Sequence, residues 1–127
     1  MRKLILAVCV AFSAVGCAKK PTAAEACQKL SAQGLAASCR EGKPTGLGAV
    51  ASARFDFDLP TVPGKGAGVL SFDKESAYDQ AVTAFEGAAV LAGPHRYGNR
   101  KALIFVQANE GLSLEEGKKL KAAVEAL

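Results

Sequence analysis

From residue 49 the chain alternates. Ala51, Ala53, Phe55, Phe57 and Leu59 fall on one side, with Val50, Ser52, Arg54, Asp56 and Asp58 on the other. Period two with one apolar side predicts a strand that has one face on a core and one in water. Residues 60–66 hold two prolines and two glycines and make a turn. Residues 67–72 return as a second strand with Leu70 and Phe72 on one face, so the two runs predict an antiparallel hairpin. Residues 102–106 are apolar without alternation, the pattern of a strand covered on both faces and central in its sheet.

Three stretches show the helical period instead. Thr22 and Glu25 form a capping box before a helix over 23–33 that aligns Ala23, Cys27 and Leu30 and ends at Gly34. Asp73 caps a predicted single helix over 73–92, whose stripe is Tyr78, Ala81, Val82, Phe85, Ala88 and Ala89; Gly93 and Pro94 stop it. Ser113 and Glu116 form a second capping box, and the last helix turns Leu120, Ala123, Val124 and Leu127 inward while Lys118, Lys119 and Lys121 stay outside. Residues 35–40 read as an optional short strand, and residues 41–48 and 94–101 as loops. A strand, a crossover helix and a central strand between 67 and 106 form a right-handed unit if the strands are parallel neighbours. The expected fold is α+β: a small single-domain sandwich in the order helix, short strand, hairpin, helix, central strand, helix, on an antiparallel or mixed sheet.

The first residues do not belong to that pattern. Arg2 and Lys3 precede an apolar run over 4–15 that closes in Ala14-Val15-Gly16 before Cys17. A basic start, twelve apolar residues and a small-residue end describe an export signal, where a membrane span needs about 20 residues. With this ending the segment resembles the signal of bacterial lipoproteins, although Ala14 stands where that family commonly has Leu. The resemblance covers the signal region alone. It implies cleavage after residue 16, acyl chains on Cys17, and a place in the cell envelope; Ala18 after that cysteine implies the outer membrane, facing the periplasm. Residues 17–21 then form the lipidated cysteine and a short tether, and 22–127 the domain. Four tether residues at about 3.5 Å each reach about 14 Å from the membrane, which brings Lys19 and Lys20 to the headgroups. Cysteine parity agrees. Cys9 leaves with the signal and Cys17 is acylated, so Cys27 and Cys39 remain to pair across a spacing of twelve.

Charge and chemistry narrow the function classes. Without Arg2 and Lys3 the basic side chains fall from 16 to 14, against 12 acidic ones. The lysines are scattered, so nucleic acid is not the expected partner. One histidine and a closed cysteine inventory leave no metal-binding cluster, and no cofactor is expected. Gly64-Lys65-Gly66-Ala67-Gly68 lacks the ending of a phosphate loop and leads into a strand, which makes it a turn. Asp56 and Asp58 project from one strand face about 7 Å apart. A hydrolase would need them to converge with His95. The stretch singled out for recognition is the 94–101 loop, where His95, Arg96, Tyr97 and Arg100 stand close in sequence and the two arginines offer a grip for a carboxylate or phosphate. The plainer alternative pairs those arginines with Asp56, Asp58 or Glu86. The expected function is a membrane-anchored, non-enzymatic binding or structural module, its partner an envelope protein or an anionic envelope component. The alternative is a small-ligand carrier with a pocket between the sheet and helix 73–92.

Overall fold

The computed structural model describes residues 19–127, and the expected signal and the acylated Cys17 lie outside the described residues. Helix α1, Ala23–Ala32, begins where the Thr22 hydroxyl accepts the Glu25 backbone N–H at 3.1 Å. The Glu25 carboxylate returns to the Thr22 hydroxyl, at 3.3 Å. Gly34 then adopts φ 74°, and Gly34 and Leu35 donate to Ser31 and Leu30, which satisfies two end carbonyls.

Strand β1, Ala37–Gly42, is the optional strand of the sequence reading, and it runs on through two residues expected to be loop. It pairs with β2, Ala53–Asp58, with one extra residue on β1 between the partners Ala37↔Asp58 and Arg40↔Asp56. Ser38, at φ 54°, takes up that bulge. The bend brings Cys39 onto α1, where it is bonded to Cys27 with the Cα atoms 6.1 Å apart. Strand β3, Gly66–Ser71, completes the expected hairpin with β2.

The helix expected over 73–92 is shorter and broken. Helix α2 spans Glu75–Gly87 and a single turn, α3, spans Ala89–Ala92. Asp73 does not cap it: Lys74 holds that position without a side-chain hydrogen bond, and the Asp73 backbone N–H goes to the Ser52 hydroxyl instead. The break follows Gly87, the residue of α2 that gains least from staying helical. Beyond it Ala92 still packs inward, while Val90 and Leu91 stand in solvent.

Residues 95–99 form a strand, which overturns the expectation of a loop over 94–101. Strand β4, His95–Asn99, pairs with β5, Ile104–Ala108, and helix α4, Leu114–Glu125, follows, capped by the Ser113 hydroxyl as expected. The sheet order is β1-β2-β3-β5-β4 and every pair is antiparallel. Strands β3 and β5, the two expected to flank a crossover helix as parallel neighbours, are neighbours but antiparallel, so they form no such unit; the chain crosses from β3 to β4, which runs parallel to it with β5 between them.

The sheet has a core on each face. Helices α1 and α4 close one around Phe57, Val69, Ile104 and Val106, and α2 with α3 closes the other around Leu70, Phe85, Leu103 and Phe105. Ile104, Phe105 and Val106 are thus buried in alternate directions, as the unbroken apolar run required.

Close approach to α4 is made at Gly117. A Cβ there would lie 2.6 Å from the His95 ring and 2.7 Å from the Tyr97 hydroxyl. Gly117→Ala should cost about 2 kcal/mol through overpacking, although alanine is worth about 1 kcal/mol more than glycine in a helix interior. Gly87→Ala, where nothing lies within 4 Å, should show that gain unopposed. Urea titrations that gave the two substitutions the same sign would refute this packing.

Candidate binding cleft

The strand register lines up Arg40, Asp56, Gly68, Gln107 and Arg96 in one row across all five strands. A polar row in a sheet with two cores must either be partnered or left open, and both happen. At the β4 end α2 covers it: the Arg96 guanidinium is 15% exposed and 3.6 Å from the Glu86 carboxylate. Its Nε and Nη1 are buried with no hydrogen-bond partner among the described residues. At the β1 end no helix among the described residues covers the row, and the charges pair with one another, Arg40 with Asp58 at 3.1 Å and Arg54 with Asp56 at 2.8 Å.

Between these ends lies a cleft of about 210 Å³. Gly68 forms its bare floor, since a Cβ there would sit 3.4 Å from the Arg54 guanidinium lying across it. Leu47, from the turn before β2, Leu70 and Phe85 give it apolar walls, and α3 contributes Leu91 and Ala92. The Gln107 side-chain amide fixes that last wall by donating to the Ala92 carbonyl at 2.8 Å. Phe85 is held in turn by Phe105, with ring centroids 4.8 Å apart. Leu91 is 87% exposed on the rim. Among the described residues Arg54 is the one ionisable residue of the lining. Its Nε is committed to Asp56, which leaves the two terminal nitrogens of the guanidinium for another acceptor.

The residues singled out in the sequence are placed elsewhere. His95 is buried, its Nε2 2.6 Å from the Leu112 carbonyl and its Nδ1 2.7 Å from the Tyr97 hydroxyl. A carbonyl only accepts, so Nε2 donates to it, and Nδ1 shares a hydrogen bond with the phenol. Burial raises the Tyr97 pKa. His95 and Asp56 lie on opposite faces, and β2 and β4 are three strand spacings apart, about 14 Å. The triad that a hydrolase would need does not converge. Nor do the two arginines form a grip. Arg96 faces Glu86, and Arg100 reaches Asp79 at 3.0 Å and Glu75 at 3.4 Å, so both clamp the β4 hairpin to α2. Among the described residues no group of three or more His, Cys, Asp or Glu side chains could hold a metal, and no helix is long and apolar enough to cross a membrane.

The Arg100 clamp has a pH signature. Its hydrogen bonds hold the Asp79 carboxyl below the ordinary 3.8, and the carboxylate raises Arg100 in return. A folded-state pKa below the unfolded one adds stability above the unfolded value and loses it as pH falls through the folded value. Asp79→Asn should therefore lower the melting temperature near neutrality and make less difference near pH 2, with the gap shrinking in 1 M salt. Melting curves that differ equally at both pH values would exclude the clamp.

The sequence offered a pocket between the sheet and helix 73–92 but not its lining residues, which come from the turn before β2, from β2, β3, α2, α3 and β5. Arg54 was read correctly as pointing away from the Phe57 core, but alternation does not say what stands above that face. No protein family, curated protein or solved structure matches the chain.

Proposed function

We propose that the protein is an envelope lipoprotein, held by acyl chains on Cys17 and displaying a non-enzymatic binding module, at the outer membrane on its periplasmic side. The observation that carries this reading is the Cys27–Cys39 bond. With Cys9 inside the signal, the bond leaves Cys17, at the end of a small-residue signal, as the cysteine to be acylated. Lys19, Lys20 and Pro21 border a depression with Asn99, Lys101 and Leu127, so the tether leaves the domain at the β4–β5 turn. The row of Gly68 and Gln107 lies three residues further along the strands, about 10 Å away. An anchored domain would hold its cleft away from the lipid and toward periplasmic partners, an envelope protein or another envelope component. The second reading, a small-ligand carrier, is favoured by the cleft itself, which lies where the sheet meets the end of α2.

Intact mass spectrometry of membrane-extracted protein tests the anchor. The expected mass is that of residues 17–127 plus acyl chains, less the two hydrogens of one disulfide. Cys17→Ser should lose the acyl mass and leave the membrane fraction. An unacylated Cys17 in the extracted protein would end this reading.

A further inference from the structure

We propose that the cleft over Gly68 binds an alkyl carboxylate, with the chain between Leu47, Leu70, Phe85 and Leu91 and the carboxylate on the terminal nitrogens of Arg54. This names a ligand for the small-ligand carrier and rests on that second reading. The division of the lining is the first argument. Its apolar side chains come from the turn before β2, from β3, α2 and α3, and among the described residues its single charge is the Arg54 guanidinium over the Gly68 floor, with no carboxylate in the lining. Arg54 is oriented for this use because Asp56 takes Nε from the side, 2.8 Å away, and the fork left over presents two parallel donors that match the two oxygens of a carboxylate. Asp56 also offsets much of the charge, so the carboxylate is recognised by hydrogen bonding at short range and not by a field that gathers anions from a distance.

Size is the second argument. A water takes about 30 Å³ of liquid volume and a methylene slightly less, so 210 Å³ holds a chain of about seven carbons. Octanoate has that length. The exposed rim is the third. Leu91, at 87% exposure, sits on a single helical turn after a break and leaves a large apolar side chain in water at the rim of the cleft. A chain lying in the cleft covers Leu91. Gly68 is the specificity element of the floor, since any side chain there would occupy the space of the ligand's first carbons.

The test uses the full chain, membrane-extracted and placed in nanodiscs of zwitterionic lipid, with an octanoate analogue carrying a photoreactive diazirine at its alkyl end. Crosslinks are expected on the peptides that contain Leu47 and Leu91, with excess octanoate competing and octanol competing at least about tenfold less well, as expected for a hydrogen-bonded charged group. Arg54→Gln should weaken competition by octanoate about tenfold and leave octanol unchanged. Gly68→Leu should abolish labelling while the melting transition is retained; if it unfolds, Arg54→Gln carries the test alone. Labelling spread over the surface, labelling that octanoate does not displace, equal competition by octanol, or an unchanged response in Arg54→Gln would each overturn the proposal. The intact mass of the same sample reports acylation of Cys17 separately, so failure in the cleft and failure of the anchor are told apart.

Discussion

Phe57→Ala should lower the stability of the domain by about 4 kcal/mol, as expected for removing a large, fully enclosed aromatic side chain. Phe57 is 0% exposed, in the core that α1 and α4 close over the sheet. The rigid strands on either side leave the site little freedom to collapse, and the void left by the ring adds to the lost transfer energy. Phe85, 8% exposed beside the cleft, makes the comparison, because Phe85→Ala widens an existing opening and should cost less. Urea denaturation with matched slopes measures both. A loss at Phe57 under 1.5 kcal/mol, or a larger loss at Phe85, would contradict the placement of the main core.

Removing the Cys27–Cys39 bond is the second large effect. The bond joins residues twelve apart. Loop closure of that size restrains the unfolded chain by about 3 kcal/mol, which for a domain of this length corresponds to a melting temperature lower by about 10 to 20 °C. The double substitution Cys27→Ala with Cys39→Ala gives the same answer as reduction if the effect lies in the unfolded state. Strand β1 adds a local consequence. It is an edge strand with a bulge at Ser38, and the bond is its covalent tie to α1. Amide exchange in β1 should accelerate more than in β3 or β5 once the bond is gone. Uniform acceleration would mean that β1 is held by its ladder with β2 alone.

The hairpin of β2 and β3 was legible because each strand has one apolar face and a turn rich in Gly and Pro between them, and local spacing decides such pairings. The helices were legible from Thr22, Ser113 and the apolar stripes. The strand at His95–Asn99 was not. Its sequence offers an imidazole, a guanidinium, a phenol and an amide where a strand next to a core normally offers aliphatics. His95 is buried at tolerable cost because the fold supplies its partners, Leu112 and Tyr97, while the half-buried Arg96 pairs with Glu86 and Asn99 donates to the Val124 carbonyl. Apart from Tyr97 and Glu86, which the sequence already offered as a partner for the arginines, those partners are distant in the chain, so the stretch reads as a polar loop until α2 and α4 are in place. The break after Gly87 was hidden for a similar reason, since the alanines around it are good helix formers and the sheet below decides which side turns inward.

For the cleft the division is sharper still. Alternation put Arg54, Asp56 and Asp58 on the face away from Phe57, and that much was determined by period two within a single strand. That β1 lies beside β2, that β5 enters between β3 and β4, and that α3 walls the cleft whose floor is Gly68 were decided by tertiary packing. By itself the sequence determined the β2–β3 hairpin, the α+β class, the caps at Thr22 and Ser113 and the cysteine pair, because each follows from residues within about a dozen positions of one another. Only the tertiary structure decided strand order and where one arginine meets a bare glycine floor, because those depend on which distant surfaces bury each other best.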